Sequence, residues 1–269
     1  LGDSEFNRQD LETLGFSRTA VLPVVPDLAH LDNTADWFVA HQFDDDWTNV
    51  LFVGRVIANK KIEDVIRCFH AYHTTFNPRS RLIIAGVFSL FERYFAGLTH
   101  LVNELGLKHV HFTGHVTDAE LIAYYEVADL FLCCSEHEGF CVPLIEAFYK
   151  QIPVMAYAAT AIPATMDGAG VLFDTKDPAY VAALMDGVLS DPHLQDAIVD
   201  AQLEAVARLQ AKDFDRTLLE FVSQILASPR RGMPHVAFDF WQQFDALEQL
   251  EEIRRYRPSA FMALPEGPA

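Results

Sequence analysis

Leu130-Phe131-Leu132-Cys133-Cys134-Ser135-Glu136-His137-Glu138-Gly139-Phe140-Cys141-Val142-Pro143-Leu144-Ile145-Glu146-Ala147 is the stretch that decides the fold. The apolar run Leu130–Cys133 predicts a strand, the polar glycine-bearing segment after it a loop, and Pro143 the first turn of a helix, where its missing N–H breaks no bond. That strand-loop-helix corner is where open α/β sheets bind ligands. Gly139 lets the backbone come close to a ligand, and the unpaired amides around Phe140, Cys141 and Val142 make an anion site out of backbone alone. Glu138 precedes the helix and Glu146 lies about one turn inside it, and a carboxylate accepts two hydroxyl hydrogens of a sugar at once. Taken singly, Glu138 reads equally well as a charge that merely favours the helix N-terminus, and Glu146 as a surface residue.

Working outward, short apolar runs alternate with amphipathic stretches from Asn49 onward, the pattern of βαβ units and a parallel sheet. Strands are expected at about Val50–Val53, Leu82–Ala85, Val110–Thr113, Leu130–Cys133, Val154–Ala156 and Val171–Phe173. Helices fall between them. Ile62, Val65, Ile66, Phe69 and Tyr72 recur at helical spacing, and Thr117 with Glu120 forms a capping box. A helix beginning near Leu90 ends at Gly106. Later helices are expected at Pro178–Leu189, Leu194–Gln210, Phe214–Leu226 and Phe238–Arg255. Towards the start, a helix over Asn7–Leu14 stops at Gly15, and Asp27 to Trp47 reads as irregular and acidic.

A second cluster, Val53-Gly54-Arg55-Val56-Ile57-Ala58-Asn59-Lys60-Lys61, closes the first strand. Arg55 and Lys60 can converge there on one anion, the guanidinium through a fork of hydrogen bonds and the ammonium as a point charge. The competing reading is a solvated loop carrying ordinary surface cations. A third cluster, Phe112-Thr113-Gly114-His115-Val116, closes the third strand. His115 is either a general acid or base or an imidazole satisfied by local backbone.

Glu138 and Glu146 with seven residues between them, Gly139-Phe140 and Pro143-Leu144 inside that spacing, and the strand-to-helix context together resemble the E-x7-E motif of retaining GT-B glycosyltransferases of the glycosyltransferase 4 family. The Arg55/Lys60 pair is similar to the family's diphosphate-holding cations, although Lys61 stands where the family more often has Gly. Phe112 to Val116 is similar to the turn whose backbone meets the nucleotide base. The resemblance runs from about Val50 to Phe173, and more loosely from Gly2 to Arg208.

The resemblance implies an α/β fold, a Rossmann-like parallel sheet with helices on both faces that forms the C-terminal half of a GT-B fold, with extra C-terminal helices. It implies Glu138, Arg55 and Lys60 as catalytic residues, and Gly54, His115, Val116, Gly139, Phe140, Cys141, Val142, Leu144 and Glu146 as donor-binding residues. The substrate implied is a nucleoside-diphosphate sugar linked to GDP or UDP, with a hexose, mannose by analogy, passed to a glycan or lipid-linked acceptor. The alternatives are a non-catalytic nucleotide-sugar-binding module and a related GT-B epimerase or phosphorylase. The expected organisation is the end of an acceptor domain over 1–20, a linker and irregular segment over 21–48, the nucleotide-sugar domain over 49–227, and a helix and tail over 228–269. Without an initiator Met, Leu1 reads as an internal point of a longer polypeptide whose upstream domain holds the acceptor.

Composition bounds the remaining classes. A 269-residue chain that is 51% hydrophobic supports a well-filled core, and a net charge of -18 opposes general affinity for nucleic acid or an anionic membrane. No apolar run approaches the roughly 20 residues that span a bilayer. The four cysteines, Cys68, Cys133, Cys134 and Cys141, show no CxxC pairing, which points to reduced thiols and a cytoplasmic setting. No metal and no separate cofactor are expected: the histidines lack zinc spacing, and Asp44-Asp45-Asp46 sits before the first strand as a solvated acidic loop. Phe238, Phe240, Trp241 and Phe244 form an aromatic stripe, either packed on its own domain or turned towards another one.

Overall fold

Strands and helices alternate along the computed structural model, which describes residues 1–89, 91–227, 251, 254–255 and 262. In chain order they are α1 (Glu5–Thr13), α2 (Trp37–Phe43), β1 (Thr48–Val53), α3 (Ile62–Thr75), β2 (Ser80–Ala85), α4 (Glu92–Glu104), β3 (Val110–Gly114), α5 (Asp118–Glu126), β4 (Leu130–Cys133), α6 (Val142–Tyr149), β5 (Val154–Tyr157), α7 (Ile162–Met166), β6 (Val171–Phe173), α8 (Pro178–Ser190), α9 (Pro192–Gln210) and α10 (Phe214–Ala227). Leu1–Leu219 form one compact unit, which holds the sheet, and Glu220–Ala269 form a second. The expected helix over Phe238–Arg255 and its aromatic stripe lie outside the described residues.

The sheet has six strands in the order β3-β2-β1-β4-β5-β6, every neighbouring pair parallel. Strand order reverses between β1 and β4, where Val50 pairs with Leu130 and Leu51 with Phe131. At such a switch point the chain leaves neighbouring strands for opposite faces of the sheet, opening a crevice at their C-terminal ends.

Side chains alternate across each strand, so adjacent residues enter different cores. Leu51, Ile83, Phe131, Cys133 and Val154 pack on one face with Tyr125, Leu144, Phe148 and Ile162 of the helices. Val50, Phe52, Leu82, Ile84, Leu132 and Cys134 pack on the other with Ile66, Phe69, Val181 and Met185. β2 is buried along its whole length, and with both faces covered its second part, Leu82–Ala85, is continuously apolar where a half-exposed strand would alternate, while Ser80 and Arg81 at its start are buried polar residues. Expected strands and helices of the sheet region recur with ends shifted by a residue or two, as frayed termini allow.

The stretch Asp27 to Trp47 departs from the expected irregular segment. It holds a 3₁₀ turn at Ala29–Asp32 and helix α2, whose N-cap Asp36 accepts the Val39 amide at 3.0 Å. Leu28, Leu31 and Phe43 from this stretch are buried in the first core. The acidic triplet is also only in part a solvated loop. Asp45 accepts both hydrogen bonds of one Arg81 nitrogen, at 2.6 and 2.7 Å, and the guanidinium lies over the rings of Phe43 and Trp47. This contact holds the Asp45 carboxyl below its ordinary pKa, because the Arg81 hydrogen bond favours the charged form.

Gln202 closes a gap in the backbone hydrogen bonding at the start of β5. Fully buried, it accepts the Val154 amide at 2.9 Å and donates to the Ile152 carbonyl at 2.8 Å. Gln202→Leu strands both backbone groups away from water. A loss of about 2 kcal/mol in urea unfolding is the expected result. Among the described residues no helix is long and apolar enough to cross a membrane.

Candidate functional site

Two loops meet across the switch point, one leaving β1 at Gly54 and one leaving β4 at Cys134. They are tied by backbone and side chain. The Glu136 amide donates to the Asn59 carbonyl at 2.9 Å, and the Asn59 side-chain amide donates to the His137 carbonyl at 3.0 Å. Between these ties Lys60 Nζ stands 2.5 Å from Glu138 Oε1, with both side chains largely withdrawn from water. A short, charge-assisted contact of this kind holds the carboxylate in one orientation.

Glu138 is anchored from a third loop as well. Its amide donates to Thr160 Oγ1 at 2.9 Å, and that hydroxyl lies 3.2 Å from the Glu138 carbonyl. Thr160 adopts φ +49°, a left-handed conformation in which β-branched residues are rare, at the C-terminal end of β5. Nothing in the local sequence announces this threonine; its place after a sheet strand is the signal that could have found it. Thr165 Oγ1 likewise donates to the Phe140 carbonyl at 2.6 Å and fixes the next part of the loop.

Helix α6 begins at an N-cap, Cys141, that is itself left-handed at φ +72° and supplies no side-chain cap. No hydrogen bond among the described residues is donated by the amides of Gly139, Phe140, Cys141 or Val142. A helix start whose amides lack acceptors is receptive to an anion. Leu144 differs from these four. Its side chain is buried in the first core and its amide donates to the Cys141 carbonyl at 3.1 Å.

Arg55 is exposed and makes no ion pair among the described residues. Other cations nearby are engaged by acids: Lys61 and Lys176 both reach Glu136, at 3.2 and 2.8 Å, and Lys176 also reaches Asp64 at 3.1 Å. This network fastens the loop after β6 to those after β1 and β4. Burial lowers the Lys176 pKa, but the hydrogen bonds it donates to Glu136 and Asp64 outweigh that and the net shift is upward.

Glu146 sits on the buried side of α6. The Tyr125 hydroxyl donates to its Oε2 at 2.7 Å, while Oε1 lies 3.8 Å from His30 Nε2. Burial, then the neighbouring carboxylate, pushes the Tyr125 phenol up in pKa and keeps it a donor. Oε1 is therefore the oxygen left for another hydroxyl. Neither Tyr125 nor His30 stands out by spacing, since both contacts are made across the fold.

The glycines show how closely the loops approach. A Cβ on Gly86 would fall 1.8 Å from the Gly54 carbonyl oxygen, and Gly54 itself has φ +153°. Gly86 also bridges Gly114, so the ends of β1, β2 and β3 are joined at three glycines. Val116 packs on the first core, whereas His115 is exposed without a hydrogen-bond partner among the described residues, so it is not an imidazole satisfied by local backbone. A Cβ on Gly139 would fall 2.7 Å from Asp3 Oδ2, and the His137 ring meets Phe6 edge-on at 6.5 Å. The first turn of α1 thus rests on the β4–α6 loop.

A doubly wound parallel sheet with an anion-receptive crevice at its switch point defines the class: an α/β domain of the Rossmann-like type. Residues 33–205 match the family described as Glycosyl transferases group 1, and the chain belongs to that family. It is similar to the serotype-specific mannosyltransferase WbdA of Escherichia coli, 23% identical over 214 residues that make up 76% of this chain and 26% of the relative. Among solved structures, the C-terminal domain of the group 1 glycosyl transferase LpcC from Francisella tularensis superposes with a TM-score of 0.57 at 22% identity, covering 68% of this chain and 97% of that one. Anabaena Alr3699/HepE, solved in complex with UDP and glucose, superposes with a TM-score of 0.71 at 19% identity, covering 83% of this chain and 62% of that one. The fold is accordingly the C-terminal domain of a GT-B glycosyltransferase, followed by further helices. The chain spans about a quarter of the length of WbdA.

Proposed function

We propose that this domain binds a nucleoside-diphosphate sugar as the donor half of a retaining hexosyltransferase. The observation that carries the reading is the Lys60–Glu138 pair bridging the switch point beside four amides without acceptors. Arg55, Lys60 and the α6 N-terminus would take the diphosphate, whose charge grows as the glycosidic bond to the donor breaks. Preorganised positive groups facing that charge lower the barrier without needing to reorganise. Glu138, held by Lys60 and Thr160, would orient the sugar hydroxyls, and Glu146 Oε1 would accept a ribose hydroxyl. Gly54, His115 and Val116 would line the base side.

The acceptor would be held by the opposing domain of the GT-B pair, with residues 49–227 as the donor domain. A mannosyltransferase among the relatives and UDP with glucose in a solved neighbour favour a hexose donor carried by GDP or UDP. Calorimetric titration of the chain with UDP, GDP and their hexose conjugates tests this. Saturable binding of at least one diphosphate, with none for the corresponding nucleoside, is expected. No heat with any of them would reject the reading.

A further inference from the structure

The eight-residue spacing of Cys133 and Cys141 fits no zinc motif, yet the fold brings both sulfurs to Glu138. Cys133 Sγ, Cys141 Sγ and a Glu138 carboxylate oxygen lie within 4.8 Å of one another, with Cys133 and Glu138 buried and Cys141 half-buried. We propose that these three atoms form a binding site for one thiophilic divalent cation of the Zn²⁺ or Cd²⁺ kind, and that its occupation withdraws Glu138 from the donor. The second half of the proposal rests on the donor reading of Glu138; the first does not.

Each ligand is held by a different piece of the fold. Cys133 ends β4, Cys141 is the left-handed N-cap of α6, and Glu138 is fixed between them by Thr160 and Lys60. Zinc–sulfur bonds of about 2.3 Å and zinc–oxygen bonds of about 2.1 Å put tetrahedral ligands about 3.5–3.8 Å apart, within reach of the observed spacing after small side-chain turns. A fourth position stays for water. Two sulfurs among three donors select against Mg²⁺ and Ca²⁺, which take oxygen ligands.

Charge closes as well. Two thiolates, one carboxylate and a dication sum to −1, and the Lys60 ammonium 2.5 Å from Glu138 Oε1 offsets it. Binding exchanges two S–H bonds for two metal–sulfur bonds and releases both protons to solvent, with no change of oxidation state. Affinity must therefore rise with pH. A carboxylate oxygen committed to the metal is no longer free to accept a sugar hydroxyl.

The test uses the whole chain, reduced with a non-chelating phosphine and titrated with Cd²⁺ in the absence of nucleotide. The sulfur-to-cadmium ultraviolet band should saturate at one equivalent. C133S and C141S should each abolish it, E138Q should weaken binding at least tenfold, and C68S should leave it unchanged. No band, or a band that survives in the C133S/C141S double variant, overturns the site. Because Cys133 is buried and its serine variant is at risk of misfolding, X-ray absorption of the unaltered Zn²⁺-loaded protein provides a second reading: two sulfur neighbours are expected, and a shell without sulfur overturns it. Metal-loaded chain should then bind UDP- or GDP-hexose at least tenfold more weakly than metal-free chain. Equal affinity with sulfur-bound metal would remove the exclusion and leave the site standing. A metal-free chain that binds no nucleotide would instead count against the donor reading alone.

Discussion

Arg55→Ala is expected to weaken binding of UDP or GDP by about 10- to 100-fold while leaving the unfolding midpoint where it is. The two halves of that result have separate causes. An arginine fork on a phosphate makes charge-assisted hydrogen bonds worth about 1.5–3 kcal/mol, and each 1.4 kcal/mol is about tenfold in affinity. Stability is untouched because the side chain is exposed and makes no ion pair among the described residues. In a chain of net charge -18, an arginine without an acidic partner has lost nothing to internal neutralisation. Lys60→Ala should behave differently: it removes a phosphate contact and also leaves the buried Glu138 carboxylate without its cation, so both affinity and stability fall. Arg67, paired with Asp64 at 3.3 Å, serves as the control whose alanine variant binds as the parent does. Calorimetry at low and at moderate salt separates the cases, since exposed charge contacts weaken with ionic strength. Unchanged affinity for the Arg55 variant would remove that residue from the diphosphate site.

Gly86→Ala is expected to destabilise the domain by about 3 kcal/mol or more, at the upper end of what inserting one methyl group costs. The added carbon would lie 1.8 Å from the carbonyl oxygen and 2.6 Å from the carbonyl carbon of Gly54. Both are backbone atoms, so no side chain can rotate away. Relief requires the ends of β1 and β2 to part, yet the Gly54 amide donates to the Ala85 carbonyl at 2.9 Å and the Val56 amide to the Val87 carbonyl at 2.9 Å. Moving Gly54 also moves Arg55, so diphosphate affinity should decline together with the urea midpoint. Gly97, inside α4, is the contrast, because a methyl group added there would meet nothing within 4 Å beyond its chain neighbours and its own helix backbone. Its alanine variant should gain up to about 1 kcal/mol from helix propensity. Equal midpoints for the Gly86 variant and the parent would contradict the close approach of the two strand ends.

The parts of this fold that can be read from sequence are those whose physics is local. Leu130–Cys133 and Leu82–Ala85 read as strands because two covered faces demand unbroken apolar residues. Thr117 and Glu120 form the expected capping box because both partners lie within one turn. Parallel order and the crevice at the switch point follow from the alternation of elements, and so do Glu138, Arg55 and Lys60 as residues of strand-end loops. Contacts made across the chain are another matter. Thr160 reaches Glu138 from 22 residues away, Tyr125 reaches Glu146 from 21, and neither has a spacing that marks it. Helix α2 is hidden by acidic residues that cap and pair, Asp36 on an amide and Asp45 on Arg81, where composition alone suggests solvent. That Cys133 and Cys141 meet is not marked by their spacing, because the backbone reversal between them, and not their separation in sequence, sets the distance between the sulfurs.

The alternation of β4 gives the protein a built-in pair of chemical probes. Cys133 enters one core and its neighbour Cys134 the other, with Cys141 beside the first and Cys68 in the layer of the second. A thiol reagent reaches such a sulfur only when its own layer opens, so labelling rates read the local unfolding free energy of each face independently. Ligand in the crevice should slow Cys133 and Cys141 more than Cys68 and Cys134, which would map, with no added label, how far the grip on a donor is felt through the sheet.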